Sequence, residues 1–503
     1  MLTTLLLALS ISSNALAPAC AHVDNANTAP TAILAAPATE SAPAMEVLAE
    51  PGAGMDQGDD ALAGARRLDS EGRAANGGEL PNLTPQEHLR RASVYLANRA
   101  FAEARGHWAA LIARYPGDPA VAPALFGTGR SFYVERRYAE ALPFFERLGR
   151  EFQGVKDGRE GFYYVAATIL RLGRPADAAA RYLEYAEKFP AGERVESAYL
   201  NAIDSWREAG RNDLAAEWVA RTRERYRGKA AEANALFALL RLQVSAAQWQ
   251  SAVRTADELR ALPFPAGVGT TQNEVAYLRA YSLERAKQTA QAVVGYQSIP
   301  DRASSYYGWL ATERLEKLGA DGRRSAASRA SAVKKEIAAA SGNYPAPFRD
   351  AVLRIARARD VDPRFVYSIM RQESGYNPRA RSQAGARGLL QMTIDMAGKY
   401  GPAAGFRNVT EDDLYRPEVN VAVGVEYLAE LFRQFPGLHE AVAASYNGGE
   451  DNVVRWVRRS VQKDAGVFTS EIGFAESKDY AQKVLANYRA YKLLYNSDLR
   501  PQR

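Results

Sequence analysis

The 503-residue chain is 47% hydrophobic and 24% charged, an ordinary globular composition with enough length for two or three domains. No apolar run approaches the length that spans a bilayer, and the single cysteine, Cys20, excludes a disulfide within the chain. The net charge of +6 understates the later part: residues 1–65 hold seven acidic side chains and no basic one, which leaves residues 66–503 at +13.

A basic surface suits polyanions, but no zinc-finger spacing, RNA-binding aromatic motif or Walker loop accompanies it, so nucleic acid is a weak candidate partner. The apolar stretch Leu2–Leu9, followed by small residues up to Cys20, reads as a secretory signal over 1–20, although no Lys or Arg precedes Arg66. Cys20 after Ala17-Pro18-Ala19 loosely matches a lipoprotein box and is a candidate lipid anchor, which would place the protein at the cell envelope or the outer membrane. Residues 21–82 are rich in Ala, Pro, Gly and Asn and poor in large apolar side chains. Such a composition buries too little to repay its ordering entropy and predicts a disordered tether.

Residues 83–320 repeat. Ala104, Ala141, Ala178, Ala215 and Ala252 recur every 37 residues, and so do Tyr115, Phe152, Phe189 and Tyr226. Tyr95, Phe132, Ile169 and Trp206 form a third such column. Each unit predicts an amphipathic helix, a tight turn (Asn98-Arg99, Arg136-Arg137, Gly173-Arg174, Gly210-Arg211), a second helix and a break. A sixth copy, Ala276 to Tyr296, has Ala292 forty residues after Ala252. These are tetratricopeptide-like repeats, expected to stack into a superhelix whose concave face is open to a protein partner or a ligand. Trp108, Trp206 and Trp249 are expected in the core rather than as sugar platforms.

Ser305-Tyr306-Tyr307-Gly308-Trp309-Leu310-Ala311 leads out of the repeats, and Ser341 to Pro345 punctuates the approach to a last domain over 344–500. In that domain Asp362 suits an N-cap, Pro363 the first helical position, and Gly375 with Asn377-Pro378 the helix end. Val366, Ile369, Met370 and Glu373 share one face, so Glu373 lies on the apolar stripe, where burial disfavours its charged form. A proton held to higher pH suits a general acid; a buried pair with Arg371 or Arg379 is the structural alternative. Pro417 opens a helix with Val421, Val425, Leu428, Phe432 and Phe435 on one face, and Ser445 to Gly449 ends a second apolar helix.

The runs E-S-G-Y-N-P from Glu373, S-x-x-G-A-R-G-L-L-Q-M from Ser382 and S-Y-N-G-G from Ser445 resemble the three motifs of the lytic transglycosylase domain. Tyr307-Gly308-Trp309-Leu310-Ala311 is similar to the linker of the soluble lytic transglycosylase family, and Phe468 to Leu485 to its closing motif. The resemblance implies an all-α protein: a tetratricopeptide-like helical superhelix followed by a lysozyme-like, mainly helical catalytic domain.

It further implies an enzyme that cuts peptidoglycan glycan strands, with Glu373 as acid and then base. Ser382, Gln391, Tyr446, Asn447, Glu471 and Tyr480 would line the substrate cleft, and Glu476 would be structural. Thr393 to Ala397 and Gly473 depart from the family pattern, beside Gln391 and Phe474 respectively. Tyr480 as a hydrogen-bonded core tyrosine and Glu471 as a surface ion-pair partner are the alternatives read from the residues alone. Rival functions are hydrolysis of the same bond, a non-catalytic glycan-binding repeat scaffold, and nucleic-acid binding. The four histidines, His22, His88, His107 and His439, stand singly in the sequence, so neither a metal set nor a cofactor is expected.

Overall fold

Glycine and strained turn residues set the register of the repeats. In the computed structural model, which describes residues 57–382, 385–461 and 464–502, a left-handed residue stands at Arg99, Arg136, Gly173, Gly210 and Ala247, again every 37 residues, and then at Lys287. Each reverses the chain between two helices. The pairs are Pro85–Ala97 with Phe101–Arg114, Val121–Val134 with Tyr138–Glu151, and Lys156–Arg171 with Pro175–Lys188. Val195–Glu208 with Asn212–Arg225, Ala230–Ser245 with Trp249–Ala261, and Gln272–Arg285 with Thr289–Gln297 follow.

The alanine column is wholly buried, from Ala104 to Ala292. With no side chain beyond Cβ, the two helices of a pair approach closely there, and the aromatics of the neighbouring columns fill the remaining space. Phe145 stacks on Tyr164 at 5.1 Å, and Tyr163 packs edge-on against Tyr182 at the same distance. Trp108 is buried, and Trp206 and Trp249 are partly buried against core clusters, so all three take packing positions. Tyr115, Phe152, Phe189 and Tyr226 each cap the C-terminus of a second helix.

The signal sequence, Cys20 and the tether as far as residue 56 lie outside the described residues. The rest of the expected tether is not disordered: Gln57–Ala75 is a helix. Leu62, Ala65 and Asp69 share one face of it and pack on the first repeat, so a composition averaged over sixty residues hid a short amphipathic pattern. Asp69 accepts hydrogen bonds from Tyr95 (2.6 Å) and the His107 ring (2.8 Å) and pairs with Arg91. His88 and His107, nineteen positions apart in sequence, are not single either: their Nδ1 atoms lie 3.0 Å apart in this buried cluster.

The linker motif begins the helix Tyr306–Glu316, with Ser305 accepting from the Gly308 amide at 3.2 Å. Tyr307 donates to Glu274 of the last repeat (2.9 Å), while the Tyr306 hydroxyl contacts Glu440 (3.2 Å) and Thr469 (2.9 Å) of the following domain. Gly319–Ala339 then leads to that domain, whose core helices are Pro363–Ser374, Pro417–Gln434, His439–Gly448 and Ala475–Leu494. One continuous apolar cluster runs from the fifth repeat through the linker into this domain. The described residues form an all-α protein in which only isolated β-bridges occur.

Candidate active site

The helix Pro363–Ser374 forms as its sequence dictates. Asp362 accepts from the Arg364 amide at 2.9 Å, Pro363 fills the first position, and Gly375 ends the helix in the left-handed region at φ 55°. Val366, Ile369 and Met370 are fully buried, and Glu373 beside them is 6% exposed. Burial pushes its carboxyl up to about 7, against the Tyr480 hydroxyl, which donates to Oε1 at 2.5 Å, and with the like charge of Glu476. No cation contributes to that balance. Arg371, one candidate partner, reaches instead to the Asn343 carbonyl and over the Tyr344 ring. Tyr480 is buried, and its hydroxyl is committed to the carboxyl.

The Ser382–Met392 loop is moored around the end of this helix. Ser374 donates to the Leu389 carbonyl at 2.8 Å, tying the first motif to the second. Ser382 is buried and used within the loop: its amide donates to Ala386 O (2.9 Å) and its hydroxyl accepts from the Ala386 amide (3.1 Å). Gln391 holds a left-handed conformation, and its Nε2 donates to the carbonyls of Ala380 (3.1 Å) and Gly388 (2.9 Å). Its Oε1 is buried without a protein partner among the described residues.

From the helix His439–Gly448, the Tyr446 hydroxyl donates to Leu390 O at 2.8 Å, so the third motif leans on the second. Burial and the nearby Glu373 hold that phenol well above its ordinary range. Asn447 accepts from Ser477 at 2.6 Å, which connects it to the helix carrying Tyr480. Glu373, Gln391, Tyr446, Asn447 and Tyr480 are thus joined through one set of contacts.

Residues 350–468 match the transglycosylase SLT domain family. The C-terminal domain belongs to that family. Soluble lytic murein transglycosylase of Salmonella typhimurium is 33% identical over 152 residues, 29% of this chain and 23% of the relative; the Escherichia coli protein of that name is 31% identical over 159 residues, 31% of this chain and 24% of the relative. The chain thus spans about a quarter of the length of these curated relatives. The crystal structure of the 70 kDa soluble lytic transglycosylase SLT70 of Escherichia coli aligns over 87% of this chain and 85% of that one, at 17% identity and a TM-score of 0.47.

Glu471 of the SLT domain does not join the cleft set. It is 1% exposed in the seam against the repeats, with Arg207 at 2.5 Å, Arg241 at 3.4 Å and Arg459 at 3.5 Å. Burial alone would raise this carboxyl; the three guanidiniums overcome it and hold the group below its ordinary range. The residue expected at the cleft lies in the seam instead, because a local motif does not show what the distant repeats bring to its other side. Glu208 with Arg455 (2.8 Å) and Glu274 with Lys478 (3.1 Å) extend the seam.

One residue of the site escaped sequence reasoning. Asn420 anchors the Gln391 loop, accepting from the Leu390 amide (2.7 Å) and donating to the carbonyls of Arg387 (2.7 Å) and Leu414 (2.8 Å). A lone amide in the largely apolar run of the Pro417–Gln434 helix was the available signal, because such a group, once buried, must find partners. Glu476, expected to be structural, is exposed, and its like charge helps to raise the Glu373 carboxyl.

Proposed function

We propose that this chain is a peptidoglycan lytic transglycosylase, an enzyme that cleaves the MurNAc-β-1,4-GlcNAc bond without water and leaves 1,6-anhydromuramoyl ends. The observation that carries the reading is Glu373, a buried carboxyl with a hydroxyl donor and no cation, which retains its proton near neutral pH. Most glycosidases need a second carboxylate as nucleophile or base, but a substrate that supplies its own groups removes that need. The N-acetylmuramic acid residue carries an acetamido group to stabilise positive charge at C1 and a 6-hydroxyl to attack it.

Glu373 gives its proton to the glycosidic oxygen as the C1–O bond breaks. The 6-hydroxyl oxygen closes onto C1, and the Glu373 carboxylate takes the hydroxyl proton, so the acid is restored. In this scheme Tyr480 orients the carboxyl, and the Gln391 Oε1, Ser382, Tyr446 and Asn447 hold the sugars on either side. Glycan strands are the substrate and the cell envelope the site of action; the curated relatives are named for murein, and others that match are named membrane-bound. Whether Cys20 carries a lipid is tested by fractionating Cys20→Ala, which leaves the membrane only if the anchor exists.

Mass spectrometry of digested peptidoglycan tests the reaction. Anhydromuramoyl ends are expected; reducing muramic ends would make the enzyme a lysozyme-type hydrolase, and an undigested sacculus would leave a glycan-binding scaffold.

A further inference from the structure

The repeats meet the SLT domain a second time, at the loop that follows Tyr446-Asn447. Arg136, the turn residue of the second repeat, crosses to Glu450 with both ends of its guanidinium, at 3.0 and 3.2 Å, and to Asp451 at 3.0 Å. Its Nη2 lies so close to Gly449 that a Cβ there would sit 2.8 Å away. Glu450 also accepts from Tyr427 at 3.4 Å, and the same hydroxyl reaches the Ser445 carbonyl at 3.3 Å. The Tyr427 ring packs on the Tyr446 ring at 5.3 Å. Tyr446 donates to the Leu390 carbonyl, and the neighbouring Leu389 carbonyl accepts from Ser374, the residue after Glu373. Four side chains therefore join a repeat turn to the loop that abuts the acid.

The turn conformation adds a second observation. Arg136 holds φ 61°, a region that costs a non-glycine residue energy, while the next two repeats place Gly173 and Gly210 at the same register. Strain alone does not single it out, since Ala247 and Lys287 hold that register too. What distinguishes Arg136 is a bidentate bond into another domain, a geometry that fixes direction as well as distance. Arg99, one repeat earlier, makes a looser crossing to the exposed Asp395 at 3.3 Å.

We propose that Arg136 is a positioning residue for the catalytic cleft: it clamps the Gly449–Asp451 turn and thereby holds Tyr446 and Asn447 against Glu373, so that the second repeat completes the active site. The inference rests on Glu373 being the acid. Arg136→Glu brings three carboxylates together and opens the turn, and a displacement of about an ångström at the reacting groups should lower kcat about tenfold or more with KM nearly unchanged. Water admitted beside Glu373 relieves its burial, so the alkaline limb of the rate profile moves to lower pH; Tyr480, Tyr446 and Glu476 are the other titratable groups that face it.

The test is charge exchange in the full chain. Arg136→Glu and Glu450→Arg each lose turnover, and the double variant regains most of it together with the wild-type pH limb. Arg99→Glu stays within about twofold, because its partner Asp395 is 64% exposed and held through one contact at 3.3 Å, whereas Glu450 is 22% exposed and gripped by two. Full turnover in Arg136→Glu, an equal loss in Arg99→Glu, or no recovery in the double variant would overturn the clamp. Amide hydrogen exchange over residues 445–453 separates this from the functional reading: faster exchange in Arg136→Glu, restored in the double variant, marks the clamp even if the wild-type protein cuts no glycan.

Discussion

The cleft and the seam each bury a glutamate, and the two behave in opposite ways. Glu373 is 6% and Glu471 1% exposed, so the loss of water is nearly the same. Glu373 faces a tyrosine hydroxyl and a like charge, and its carboxyl rises to about 7; Glu471 faces three arginines and stays ionised. Burial sets the size of the penalty on charge, and the neighbours decide whether the group escapes it by keeping a proton or by pairing. One glutamate is thereby kept ready to give a proton, and the other becomes a fastening between domains.

Removing the proton donor tests the first half of that contrast and should give the largest effect. Glu373→Gln keeps the shape and a hydrogen bond to Tyr480 but cannot donate, so turnover should fall on the order of a hundredfold to ten-thousandfold. Measurement of anhydromuramoyl release, with circular dichroism to show intact helices, checks it. Near-wild-type release would mark Glu373 as a structural acid.

The second half is tested by taking away the paired carboxylate. Glu471→Ala leaves Arg207 and Arg241 with Asp204, and Arg459 with Glu208 at 3.9 Å, in a seam that water hardly reaches. Breaking a buried pair from one side costs about 3 to 5 kcal/mol, and these remaining partners put the loss at or below the lower end. Thermal unfolding should show the loss, with repeats and SLT domain separating in calorimetry. An unchanged melting profile would mean that the apolar core shared by repeats, linker and domain suffices without the ions.

The contrast also explains what the sequence could show. Position within a helix is local information, so the burial of Glu373, the Asp362 cap and the Gly375 stop were all readable from spacing, as was the 37-residue register that returns in the structure as buried alanines and left-handed turns. Partners across a tertiary seam are not local. Glu471 in isolation gives no sign of Arg207 or Arg241, more than two hundred residues earlier. His88 and His107 met for the same reason, through the pairing of two helices. The helix Gln57–Ala75 was lost to averaging, and Asn420 lies off the Val421, Val425 and Leu428 face, so the apolar pattern carried no sign of it.

Away from both glutamates, the repeat core should respond to volume and not to charge. Ala178 is fully buried at the start of the helix Pro175–Lys188, where the paired helices approach most closely. Ala178→Phe should cost about 1 to 3 kcal/mol through overpacking, with a loss that does not vary with pH. Chemical denaturation at two pH values checks this, and an unaltered midpoint would remove the alanine column as a contact.

The smallest effect is a gain in stability with the sign fixed by linkage. An unfolded glutamate loses its proton near 4.5, and folded Glu373 keeps it to about 7. The wild-type protein therefore has the full benefit of a neutral Glu373 below 4.5 and loses that benefit as pH rises through 7, because the fold must then either hold a charge without a cation or bind a proton that the unfolded chain has released. Glu373→Gln has no such charge to bury. Its melting temperature relative to wild type should rise between pH 4.5 and 7 and level off above, by about 1 to 3 °C once local relaxation and water entry have reduced the penalty. Glu440, also raised to about 7 by burial, is present in both proteins and cancels in the difference. A difference that stays flat across that range would mean that Glu373 ionises in the fold as easily as in the unfolded chain, and its readiness to act as an acid near neutral pH would go with it.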